Sequence, residues 1–203
     1  MLKAFCLSAL AFVCLMGAPA MAAVETGKPA PDFTAKDTNG VEHTLSGFKG
    51  KVVVLEWTNP ECPYVKKHYE PKNMQTLQKD YTDKGVVWIS INSSAEGKQG
   101  HQTNEDANKY MTDVGAASTA RIADADGAIG KLYDAKTTPN MFVIDKDGNV
   151  AYHGAIDDND SANPADAATA KNHVKAALDS LLAGTPVEMA QTKPYGCSVK
   201  YKD

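Results

Sequence analysis

Four cysteines punctuate this chain of 203 residues, and two of them stand where a thiol can do chemistry. Cys62 comes after Val52-Val53-Val54-Leu55-Glu56-Trp57, a nearly all-apolar, β-branched run that reads as a strand buried on both faces. A loop, Thr58-Asn59-Pro60-Glu61, separates the two. Cys62-Pro63 then opens a helix, because proline suits the first helical position, where its missing N–H would be unpaired anyway. The nucleophilic species of cysteine is the thiolate. Free N–H groups and a partial positive charge at a helix N-terminus stabilise it. Lys66 and Lys67, one turn on, add to this and Glu61 opposes it. The plain alternative is an inert buried thiol. Thr137-Thr138-Pro139 is the second feature, because a proline entering a central strand fits there when its peptide is cis and pairing ends at it. A trans proline in an edge turn is the bland reading.

The N-terminus decides which thiols remain. Lys3, the apolar run Ala4 to Met16 and Gly17-Ala18-Pro19-Ala20-Met21-Ala22-Ala23 describe a secretory signal with cleavage after Ala22. The apolar run is short for a bilayer span. Residues 1–22 are thus expected to be a signal peptide that takes Cys6 and Cys14 with it, and an exported location, periplasmic or secreted, is expected. Residues 23–203 are expected to be one domain with a cysteine-bearing tail from about 185. About 180 residues bury a core without staples, so a disulfide between Cys62 and Cys197 is not demanded by size.

The remaining elements must hold Cys62 in place. Val86 to Asn92 reads as a second buried strand, Asn104 to Val114 as a short helix, and Asn140 to Asp145 as a third strand. Asp147-Gly148 turns it into a partner strand, Val150 to Gly154. Pro164 to Ala183 reads as one long helix stopped by Gly184. Ile122 to Tyr133 reads as a turn followed by a helical turn. This order predicts an α/β fold with a mixed central sheet and helices on its faces.

Ala30-Pro31-Asp32-Phe33, Phe48 to Leu55, Cys62-Pro63-Tyr64-Val65, Thr138-Pro139, Phe142 to Gly148 and Gly154 to Asp158 resemble the redoxin branch of the thioredoxin superfamily. The resemblance is closest to its peroxiredoxin-like subgroup, and it implies a thioredoxin-like fold. It also implies a cis proline at Pro139 packed against the reactive cysteine. The chain departs from the family pattern at the motif itself. Val65 stands where thioredoxins carry their second cysteine and where peroxiredoxins carry their peroxidatic one. Cys62 takes the peroxiredoxin threonine position, and Arg121 is the one arginine of the chain. Peroxide reduction by the peroxiredoxin mechanism is therefore not expected.

Cys197 is the one candidate for a resolving thiol. Closing a long loop costs only logarithmically with length, and Gly196 eases a close approach. The expected chemistry is thiol-disulfide exchange, with Cys62 as nucleophile, Cys197 resolving and Pro139 shaping the site. Its partners would be protein thiols or disulfides, or a small thiol redox donor. The alternatives are a non-enzymatic module with a fixed Cys62–Cys197 staple, and a copper carrier using Cys62, Cys197 and His153. The net charge of −4 gives no nucleic-acid footprint. No cofactor pocket is implied, and no stable membrane insertion is expected once the signal is removed. His68, six residues after Cys62, is expected on a different helix face from it. Asp157-Asp158-Asn159-Asp160 reads as a solvated turn.

Overall fold

The computed structural model describes residues 24–203, so the signal-peptide expectation for 1–22 lies outside the described residues. A small antiparallel hairpin opens the fold, β1 (Thr34–Lys36) and β2 (Glu42–Thr44), followed by a 3-10 turn at Leu45–Phe48. Then come β3 (Val53–Trp57), α1 (Pro63–Tyr69), α2 (Asn73–Thr82), β4 (Val87–Asn92), α3 (Asn104–Val114), β5 (Ala120–Ala123) and α4 (Ala128–Leu132). The second half holds β6 (Thr137–Thr138), β7 (Asn140–Ile144), β8 (Val150–Gly154), a 3-10 turn at Pro164–Ala168, α5 (His173–Ala183) and β9 (Cys197–Ser198). The central sheet has the order β5-β4-β3-β7-β8. β3, β4 and β5 are parallel, β7 runs against them, and β8, antiparallel to β7, returns to their direction.

β3 shows why this sheet needs apolar strands. Val54 faces a core built with Val65, Met74, Trp88, Val174 and Leu178, beneath α1, α2 and α5. Val53, Leu55 and Trp57 face the other core, with Phe33, Ile89, Tyr133 and Phe142. Successive side chains of a strand point to opposite faces, so a strand covered on both sides is apolar throughout. Glu56 is the exception and is fully buried.

Two expectations are corrected. Ala120–Ala123 is a strand at the sheet edge, not the lead-in to a turn, and four residues are too few to show a period. The helix expected over 164–183 is two elements. Asn172 breaks it, because its side-chain oxygen accepts from the Lys175 N–H at 2.8 Å and starts α5 afresh. The helix after Cys62 also divides as Pro71 suggests, with Lys72 in the left-handed region at φ 64° between α1 and α2.

Candidate active site

Cys62 caps α1, and its carbonyl accepts the first helical hydrogen bonds, from the Val65 and Lys66 N–H groups, both at 3.0 Å. It lies beyond the carboxyl end of β3, with Pro63 at the first helical position. The Thr138–Pro139 peptide is cis, as the resemblance implies. The Cys62 thiol donates to the Thr138 carbonyl at 3.0 Å. The tail crosses this point. β9 pairs antiparallel with β6, and Cys197 stands opposite Thr138. The structure therefore brings Cys62, Thr138-Pro139 and Cys197 together, which is the whole of the predicted constellation. Both cysteines are free thiols in this state, and Cys62 is 0 % exposed.

The two sulfurs differ in acidity. Burial pushes the Cys62 pKa up, but donors outweigh it: the Cys197 thiol, Thr138 and the backbone N–H groups of Cys197 and Val65 bring it below the ordinary value. The buried Thr138 hydroxyl has no hydrogen-bond partner, which leaves it free to serve the sulfur once that is ionised. Cys197 is pushed up to about 11 by burial, by the hydrogen bond it gives to Cys62 and by the charge of that sulfur. Of the two, Cys62 ionises first and Cys197 holds the proton. One sulfur is thus poised as nucleophile and the other as its donor.

A second buried cluster anchors the tail beside the thiols, and the sequence reading missed it. Lys67 is 0 % exposed and ion-paired at 3.3 Å with Asp157, itself 2 % exposed. The Tyr195 phenol donates to Asp157 Oδ1 and accepts from Lys67 Nζ at 3.2 Å. The Asn73 amide donates to His68 Nδ1 at 2.9 Å, which leaves His68 Nε2 to donate to the same phenol at 3.3 Å. Burial holds the His68 pKa down, to about 4. Lys67 is therefore committed here and not to Cys62. Asp157 is no solvated turn residue, and His68 faces the segment that carries Cys197. The pattern Tyr195-x-Cys197 on an extended tail was the visible signal, because residues two apart share a strand face.

Glu56 was flagged in the sequence only by being a charge in an apolar run. It accepts from Tyr69 Oη at 2.8 Å, Trp88 Nε1 at 2.8 Å, Gln78 Nε2 at 3.0 Å and Ser90 Oγ at 3.3 Å. Burial raises its pKa despite these donors. Arg121 lies on β5 against Gln102, Met111 and Tyr110, so it does not serve Cys62. His153 stacks on Phe142 with ring centroids 5.7 Å apart, and no cluster of three His, Cys, Asp or Glu side chains suited to a metal ion is found among the described residues.

A strand-loop-helix cysteine facing a threonyl cis-proline on a mixed sheet defines a thioredoxin-like protein. Residues 25–171 match the Redoxin family model, and the chain belongs to that family. The thiol-disulfide oxidoreductase ResA of Bacillus thuringiensis subsp. konkukian is 32% identical over 127 residues, 63% of this chain and 68% of that protein. The crystal structure of an uncharacterized conserved protein from Geobacillus kaustophilus aligns with a TM-score of 0.75 and 31% identity, over 88% of this chain and 93% of that one. That of a DsbE-type thiol:disulfide interchange protein from Chlorobium tepidum aligns with a TM-score of 0.53 and 27% identity, over 64% and 85%. Cys197 lies beyond the segment that the Redoxin model matches. No helix among the described residues is long and apolar enough to cross a membrane.

Proposed function

We propose that the protein is an exported thiol-disulfide oxidoreductase whose redox couple is Cys62 with Cys197. The observation that carries this reading is the placement of Cys197 opposite Thr138, the residue whose carbonyl accepts from the Cys62 thiol at 3.0 Å. The kinship with ResA supports the reaction class. The Cys62 thiolate attacks one sulfur of a substrate disulfide, forms a mixed disulfide and expels the other sulfur as a thiolate. The Cys197 sulfur then attacks Cys62, closes the Cys62–Cys197 disulfide and releases the second substrate sulfur. Two electrons pass to the substrate, and the two enzyme thiol protons end on its sulfurs. A dithiol donor reverses the steps on the enzyme. Export rests on the N-terminal residues and would place this exchange in an oxidising compartment.

The test is turnover of a model protein disulfide with a dithiol donor, together with the mass of the mature, exported chain. Cys62→Ser is expected to fall to background. Cys197→Ser is expected to accumulate a covalent Cys62–substrate adduct. A Cys62→Ser variant with undiminished turnover would refute the assignment.

A second reading, a permanent staple, draws on how well the tail is stitched down. The Val199 N–H donates to the Lys136 carbonyl at 3.0 Å, and the Ala95 N–H to the Lys200 carbonyl at 2.8 Å. The reduction potential separates the two. A working couple lies near or above about −250 mV and a staple below about −300 mV.

A further inference from the structure

If Cys62 is the nucleophile, the seated tail leaves its sulfur with no exposed surface, so no substrate sulfur reaches it until the tail lifts. The stretch that must move is short. On its near side the tail is tied to β8: the Thr192 N–H donates to the His153 carbonyl at 3.1 Å, and the Ala155 N–H to Thr192 Oγ1 at 2.9 Å. On its far side it is tied by Val199, Lys200 and Tyr201, whose phenol donates to the Ala135 carbonyl at 2.7 Å. Between these ties lies Lys193 to Ser198, flanked by two open clefts of about 640 and 540 Å³ that meet along Thr192, Lys193 and Pro194. The stretch is held by the two-residue ladder on Thr137–Thr138, by Cys197 packed against the core and by the hydrogen bonds of the Tyr195 phenol.

We propose that Tyr195 is a positioning residue: its phenol, seated on Lys67, Asp157 and His68, latches the tail over Cys62 and holds Cys197 in register, so that this seat sets how often a substrate polypeptide can take the tail's place. The proposal rests on the redox reading above and gives it a control point. The seat is matched to a phenol. The hydroxyl gives one hydrogen to an acceptor, Asp157, and takes two from donors, Lys67 and His68. The ring meets Tyr64 on the first turn of the Cys62 helix, with centroids 5.9 Å apart. When the tail leaves, Lys67 keeps Asp157 and the Asn159 carbonyl, so the ion pair is not orphaned and opening is reversible. Gly196 makes the close approach possible. At φ +137° any Cβ would come within 2.1 Å of the Thr138 carbonyl oxygen.

The experiment measures the rate of Cys62 alkylation by iodoacetamide, read by mass, in the full-length reduced protein. Tyr195→Phe keeps the ring and removes the hydroxyl. It is expected to speed Cys62 alkylation about tenfold, the scale of a hydrogen bond to charged partners. Gly196→Ala unseats the same stretch by a different route and is expected to match or exceed that rate. A peptide spanning residues 191–201, with serine in place of its cysteine, should then protect Cys62 of Gly196→Ala in trans. The same peptide with phenylalanine for tyrosine should bind about tenfold more weakly, a difference that general loosening of the fold does not produce. Rates within twofold of wild type in both variants would overturn the latch, as would equal protection by the two peptides. Because alkylation needs no turnover, the two readings fail separately. An inactive Cys62→Ser with unchanged alkylation in Tyr195→Phe sinks the latch alone. Fast alkylation in Tyr195→Phe with an active Cys62→Ser sinks the catalytic assignment alone.

Discussion

At the scale of single residues, burial decides what each polar group contributes. His68 sits neutral among Asn73, Tyr195 and Asp157, with its pKa held at about 4. Its unfolded value is about 6.5, so between those two values the unfolded chain binds the extra proton. Stability is therefore full above about pH 6.5 and drains as pH falls toward 4, by up to about 3 kcal/mol from this one group. Urea unfolding at pH 7 and pH 4.5 should show that loss in the native protein and a smaller one in His68→Asn. Glu56 gives the opposite kind of dependence on a neighbour set. Glu56→Ala would leave the donors of Trp88, Gln78 and Tyr69 without their acceptor, at a cost of about 3 kcal/mol or more in the urea midpoint at neutral pH. The cysteine and the threonyl-proline were legible from sequence because their types are rare at such junctions. The phenol seat was not. Lys67, Asp157 and Tyr195 are far apart in the chain, and nothing in a lysine's own surroundings announces that it will be buried.

At the scale of elements, local rules governed the boundaries. α3 begins and ends where its residues say: the Thr103 hydroxyl accepts from the Asp106 N–H at 3.1 Å, and Gly115 takes the left-handed position at φ 68°. α5 shows the same rule overriding a helix-favouring composition. Its Ala-rich approach reads as continuous helix, yet Asn172 caps a new start and the segment before it folds as a 3-10 turn. Removing that cap with Asn172→Ala should cost about 1 kcal/mol, seen as a lower thermal midpoint with unchanged far-ultraviolet dichroism. β5 and the β6–β9 pair are the elements that sequence could not supply. They are four and two residues long, and their pairing is fixed by strands distant in sequence, β4 about 30 residues before β5 and β9 about 60 after β6.

For the whole molecule, the tail ties late sequence to early sequence, and its state should govern global stability. Closing a Cys62–Cys197 disulfide encloses a loop of about 135 residues, which in the chain-entropy model is worth about 4–5 kcal/mol. The oxidised protein should accordingly unfold at a higher denaturant concentration than the reduced one. Cys197→Ser should abolish that difference without lowering the reduced midpoint by more than about 1 kcal/mol. The two-layered mixed sheet was readable from the alternation of apolar runs and helical stripes, since both of its cores need them. The crossing of the tail over the carboxyl ends of the strands was not, since neither periodicity nor composition marks where a loop lands. That crossing has a consequence for the chain's tolerance of change. Cys197 meets Thr138 through a ladder only two residues long, and a slip by one place would offer Gly196 or the hydroxyl of Ser198 instead of sulfur. A single inserted or deleted residue between Tyr195 and Cys197 would thus uncouple anchor from thiol at one stroke, leaving the fold intact but the spacing ruler broken.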